Sequence, residues 1–138
     1  MADAARGLDS IPEVLAIIIC NEVIEDKHTN NKTLVGLFNG ITVRSLPAFH
    51  SRICVVASLT GIIGEMPIGI RIMSPSDVVA DVKGKTNSED GEVVLDLVVE
   101  FRDLPLKEEG THRVEVYAGN VALAGRNFTV VKMPQPMS

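Results

Sequence analysis

"THRVEVYAGNVALAGRNFTVVK", Thr111 to Lys132, is the stretch whose reading decides the fold. Two strand-like patterns flank the dipeptide Gly119-Asn120. That dipeptide suits a tight hairpin, because glycine tolerates positive φ and asparagine tolerates the left-handed region. Alternation with a period of two sends successive side chains to opposite faces of a pleated strand. The segment is expected to form a closing pair of strands.

The same signature recurs upstream. "EVVLDLVVEFRDL", from Glu92, sets Val93, Leu95, Leu97, Val99 and Phe101 inward, with Asp96, Glu100 and Arg102 outward. "MPIGIRIMS" alternates Met66, Ile68, Ile70 and Ile72 against Pro67, Gly69, Arg71 and Met73. "RICVVASLT" does so with Ile53, Val55, Ala57 and Leu59 against Arg52, Cys54, Val56, Ser58 and Thr60. "LVGLFNGITV" reads as one strand, with Val35, Leu37, Ile41 and Val43 on one face and Leu34, Gly36, Phe38, Gly40 and Thr42 on the other. "EVLAIIICNEVI", from Glu13, is apolar on both sets through Ile19, as a strand covered on both faces would be. "DVVADVKG" is a weaker, short candidate.

Between these runs, "GIIGE", "TNSEDGE" and "KEEGT" carry the Gly, Asn and Asp that turns demand. About eight short, mostly antiparallel strands and no amphipathic helix of normal length point to an all-β fold. A half-buried sheet without helices must cover its apolar face with a second sheet, so a β-sandwich is expected. Residues 13–132 form the expected domain, with 1–12 as a loose arm and 133–138 as a tail.

Composition narrows the function classes. The chain has 138 residues, 46% of them hydrophobic and 22% charged, which suits one globular domain. It has no Trp, one Tyr and four Phe, so Val, Ile and Leu must build the core. Such branched side chains favour strands. The formal net charge is −5, the basic residues are scattered, and no aromatics are interleaved with them. Nucleic-acid binding is therefore not expected. Cys20 and Cys54 are too few for a disulfide scaffold, and both lie in apolar runs. The N-terminal segment carries Asp3, Asp9 and Glu13 before a short apolar stretch, unlike a signal peptide. No run approaches membrane-spanning length. A cytoplasmic protein without membrane insertion is expected.

The closing segment resembles the last hairpin of immunoglobulin-like sandwiches, the matching residues being Gly110, Val114, Val116, Gly119, Asn120, Phe128 and Val130. It departs from that pattern in placing His112 where an aromatic is common. Together with "AIIICNEVIEDKHTNNKTLVGLFNGI", roughly Val14 to Lys132 resembles a family of short, uncharacterised bacterial proteins known only as a domain of unknown function. The resemblance implies an all-β, immunoglobulin-like fold and brings no activity and no functional residues.

Candidate sites are few. Asp26, His28 and Asn30 occupy the first, third and fifth positions of an EF-hand-like register. The register then fails at Asn31, where glycine is needed, and at Leu37, where a bidentate glutamate is needed. Neither C-x-x-C nor H-x-x-x-H is present to supply a zinc site. Asp90, in the acidic cluster Glu89, Asp90 and Glu92, would complete a ligand mouth with Asp26 and His28 if the two loops converged. A polar turn accounts for the first loop without a ligand. A thiol mechanism would need Cys20 or Cys54 beside His28, His50 or His112. No nucleophile elbow, metalloprotease helix, phosphate loop or dinucleotide fingerprint occurs.

One feature asks for a protein partner. Val14, Ala16, Ile18, Leu34, Phe38, Val56 and Met73 fall on nominally outer faces although they are apolar. Leu34, Phe38, Val56 and Met73 are the interface candidates. The expected function is a non-enzymatic, cofactor-free interaction module, self-associating or binding another protein; the alternative is a metal- or small-ligand-binding sandwich.

Overall fold

The computed structural model describes residues 11–134, and among them it contains nine strands and no helix. The strands are β1 (Glu13–Glu25), β2 (Lys32–Leu37), β3 (Gly40–Val43), β4 (Ala48–Thr60) and β5 (Gly64–Met73), followed by β6 (Val78–Ser88), β7 (Leu95–Leu106), β8 (Gly110–Ala118) and β9 (Val121–Lys132). Residues 1–10 of the expected arm and 135–138 of the expected tail lie outside the described residues.

A four-stranded sheet runs in the order β2-β1-β4-β7, and a five-stranded sheet in the order β3-β9-β8-β5-β6. All neighbours are antiparallel except β3 and β9. The pairing of β4 with β7 in one sheet, and of β5, β8 and β9 in the other, has the Greek-key connectivity of an immunoglobulin-like sandwich.

Alternation explains the core. Ile53, Val55, Ala57 and Leu59 of β4 face Ile68, Ile70 and Ile72 of β5, Val114 and Val116 of β8, and Phe128 and Val130 of β9. The hairpin between β8 and β9 has two turn residues, with Ala118 opposite Val121 and Gly119 at φ 57°. That backbone value is one that side chains other than glycine adopt at a cost.

"LVGLFNGITV" is two strands rather than one, and this raises the count to nine. Phe38 N donates to Ile19 O at 3.2 Å, while Asn39 O accepts from Thr129 N at 3.0 Å. The chain thus leaves β1 for β9 within one residue, changing sheets. Gly36 prepares the departure: φ is 72°, and a Cβ there would fall 2.3 Å from the Asn21 side chain. β6, expected to be short, runs for 11 residues. It is an edge strand with much of its length exposed, so its sequence has little apolar alternation to betray it.

Candidate functional site

The first polar loop is a hydrogen-bonded turn. Asp26 Oδ1 accepts from His28 N at 2.8 Å and Thr29 N at 3.0 Å, and Asn30 takes φ 62°. The two backbone donors, Thr29 first, hold the Asp26 carboxyl below its usual range. Asp90 likewise closes its own turn, accepting from Glu92 N at 2.9 Å. The two loops do not meet. Gly61 N donates to Gly91 O, which puts the second loop beside the Glu13–Thr60 end of the sheet. Asp26 follows the far end of β1, and a strand of 13 residues spans roughly 40 Å. Asp26 and His28 therefore stand apart from Asp90. Among the described residues no group of three or more His, Cys, Asp or Glu is placed to hold a metal ion.

The cysteines and histidines are also kept apart. Cys20 and Cys54 lie directly opposite one another on β1 and β4, buried and unbridged. Burial, then the neighbouring thiol, pushes the Cys20 pKa up; burial, then Glu100, does the same for Cys54. A thiol made harder to ionise is a poorer nucleophile. His28 is in the turn, His50 tilts against Phe38 at 5.9 Å, and His112 is buried against Phe128 at 5.3 Å. None is among the groups acting on either thiol.

Both cysteines belong to the outer face of the four-stranded sheet. Register places Cys20 beside Leu37, Glu22 beside Val35, Ile18 beside Val56, and Val56 beside Val98. This builds an apolar strip across all four strands, with Val35, Leu37 and Val98 at 41%, 64% and 41% exposure. Arg52 with Glu22, and Arg102 with Glu100, form ion pairs along its polar border.

The interface candidates separate on this frame. Val56 is on the strip, though its neighbours leave it buried. Leu34 and Phe38 are not: they belong to the inward set, opposite Val23 and Ile19, and Phe38 packs against the core. Val35 and Leu37 point outward in their place. The inversion follows from the strand break, because Ile41 and Val43 face the core from the other sheet and carry no phase information about β2. Met73 is half-buried on the outer face of the five-stranded sheet.

That second outer face holds a polar cluster not expected from the sequence. Glu115 accepts from Arg71 Nε at 2.9 Å, from Arg71 Nη2, and from Arg113 Nε at 3.5 Å. Tyr117 Oη donates to Asp81, and the Arg71 guanidinium sits 4.6 Å above the Tyr117 ring. Burial, then the Asp81 hydrogen bond, raises the Tyr117 pKa. Cross-strand register supplies the proximity, since Arg71 is opposite both Glu115 and Asp81. Two glycines make room: a Cβ on Gly69 would fall 2.1 Å from the Tyr117 ring, and one on Gly125 would fall 2.2 Å from Arg113. The alternating charges at Arg113 and Glu115 are the available signal, but their partners on other strands are not legible in the chain.

Gly69→Ala is expected to swing Tyr117 off its strand and to cost about 1–3 kcal/mol. In a Tyr117→Ala background the same change should cost well under half as much, because the obstructed ring is gone. Equal costs in urea melts of the four proteins would contradict this account of the glycine.

An immunoglobulin-like β-sandwich is thus the class of protein that strand order and core define. The chain belongs to a family of unknown function, DUF6941, whose family model matches residues 15–131. No curated protein matches it. Among solved structures it is similar to an immunoglobulin-like protein, PA1606, from Pseudomonas aeruginosa, at 14% identity over 87% of this chain and 96% of that one, with TM-score 0.44. It is also similar to the C-terminal domain of wzt, at 12% identity, 91% and 75% coverage and TM-score 0.47. A third similarity is to the sensor domain of the anti-sigma factor RsgI4 in Pseudobacteroides cellulosolvens, at 11% identity, 89% and 97% coverage and TM-score 0.39. No helix among the described residues is long and apolar enough to cross a membrane.

Proposed function

We propose that this protein is a non-enzymatic interaction module that binds a protein partner through the outer face of its four-stranded sheet. The observation that carries the reading is the apolar strip of Leu37, Val35, Ile18, Val56 and Val98, which crosses all four strands. A sheet face turned to water ordinarily alternates to polar residues, and a contiguous apolar patch rimmed by ion pairs marks a contact surface. The raised thiol pKa values and the separation of Asp26 from Asp90 give catalysis and metal binding no comparable support.

The test is a double substitution, Val35→Glu with Leu37→Glu. Both side chains are exposed, so the melting temperature should stay within a few degrees of wild type, on the order of 0.5 kcal/mol. Affinity capture from the source organism, read by mass spectrometry, should lose a specific partner with the variant. Recovery of the same proteins by both forms would overturn the reading.

A further inference from the structure

We infer that two copies of this chain associate edge to edge through β7, in antiparallel register centred on Val99, to make one continuous eight-stranded sheet. This rests on the open backbone edge of β7 rather than on the partner face proposed above, although Val98 and the Arg102–Glu100 pair border both.

Among the described residues the four sheet edges are β2, β7, β3 and β6. An open edge presents unpaired backbone groups, and proteins blunt such edges with short strands, lysines, prolines or bulges. β2 has 6 residues and β3 has 4, while β6 carries Lys83 and Lys85. β7 has 12 residues and, from Leu95 to Leu104, neither lysine nor proline. Its irregularity, Asp103 at φ 51°, comes only near the end.

The direction of its backbone groups follows from the ladder. Phe38 N bonds Ile19 O, and Arg126 Nη1 reaches Ile17 O, so Ile17 and Ile19 turn their carbonyls away from β4. Backbone direction alternates along a regular strand, so Ile18, between them, turns toward β4 and forms a hydrogen-bonded pair with Val56. By the same alternation Ile53, Val55 and Ala57 bond to Phe101, Val99 and Leu97. The N–H and C=O groups of Asp96, Val98, Glu100 and Arg102 are then left facing the open edge.

Charge chooses the register. Two-fold pairing of these even-numbered residues admits centres one residue apart. A centre at Val98 sets Asp96 against Glu100 of the second copy, twice. A centre at Glu100 sets two glutamates face to face. A centre at Val99 sets Asp96 against Arg102 of the second copy, twice, and pairs Leu97 with Phe101 on the core side. Opposite charges directly across strands attract and like charges repel. The groove between β6 and β7, about 240 Å³, lies beside this edge and is lined by Ile68, Ile70, Leu97 and Val99 together with Lys83 and Lys85, so the added strand would cover some apolar surface as well as backbone.

Sedimentation velocity on the purified chain tests it over a concentration series. Wild type should dimerise. Asp96→Arg and Arg102→Asp, each alone, should weaken the dimer on the order of 100-fold, by opposing like charges at two symmetric places. An equimolar mixture of the two variants should dimerise again. In the mixed pair the introduced arginine of one copy meets the introduced aspartate of the other, and the native Asp96 and Arg102 form the second contact. Val98→Pro, which removes an edge-facing N–H, should also give monomer while keeping the ladder to β4. A wild type that stays monomeric throughout, single variants that dimerise like wild type, or a mixture that stays monomeric would overturn the inference. Because only purified chain is present, those results leave the partner-face reading to its own capture experiment.

Discussion

Phe128→Ala is expected to destabilise the domain by about 3–5 kcal/mol, the range for truncating a fully buried aromatic. Phe128 is 1% exposed on β9, which runs between β3 and β8 in the five-stranded sheet. Its ring lies 5.3 Å from the His112 imidazole, directly across the β8–β9 ladder. His112 Nδ1 contacts Gly110 O at 3.2 Å, while Nε2 has no hydrogen-bond partner among the described residues. That edge of the imidazole is therefore sheltered by packing, and removing the phenyl ring leaves both a cavity and a less well packed polar group. Urea melts should show an unchanged slope and a lower midpoint. Phe128→Leu, which keeps most of the volume, should cost under about 1.5 kcal/mol. Similar losses for both variants would mean that the site collapses around alanine and that Phe128 is not the keystone the packing implies.

Glu115→Ala should cost about 1–3 kcal/mol, a value set by what the glutamate leaves behind. Glu115 is 8% exposed and is the shared acceptor for Arg71 and Arg113. Without it two guanidinium groups stand close together on a partly covered surface. Arg71 still reaches solvent and keeps the Tyr117 ring beneath it, so the penalty stays below that of a fully buried pair. Glu115→Gln retains shape and an acceptor but not the charge, and should fall between wild type and Glu115→Ala. Added salt should narrow the gap between Gln and Glu, because screening weakens the attraction. A Glu115→Ala protein within about 0.5 kcal/mol of wild type would show the cluster to be a surface decoration.

The same contrast between local pattern and distant partner explains which parts of the molecule are legible in the chain. In β5 and β7 the inward set is plain because polar residues such as Arg71, Asp96, Glu100 and Arg102 mark the outer face. In β4 Arg52, Ser58 and Thr60 do so, although Cys54 and Val56 between them are buried. Periodicity misassigns the two faces of "LVGLFNGITV" because a change of sheet at Phe38–Asn39 resets the phase, and a single period assumes one sheet throughout. The polar cluster escapes a sequence reading for a related reason. Arg71, Asp81 and Glu115 are separated along the chain, and only the β5–β6 and β5–β8 registers bring them side by side. The first loop is readable in both its outcomes, since an Asp followed by backbone donors closes a turn whether or not anything binds to it.

By itself, then, the sequence determined that the chain would be all strand, where most strands and turns fall, and which side chains of the uninterrupted strands face the core. Those properties depend on neighbours within a few residues, through pleat geometry and the φ preferences of Gly and Asn. The tertiary structure alone decided which strand joins which sheet, which edges stay open, that Val35 and Leu37 face outward, and that Asp26 lies a whole strand length from Asp90. Each of these depends on hydrogen-bond partners distant in the chain, and a period of two is the same whichever partner a strand finds.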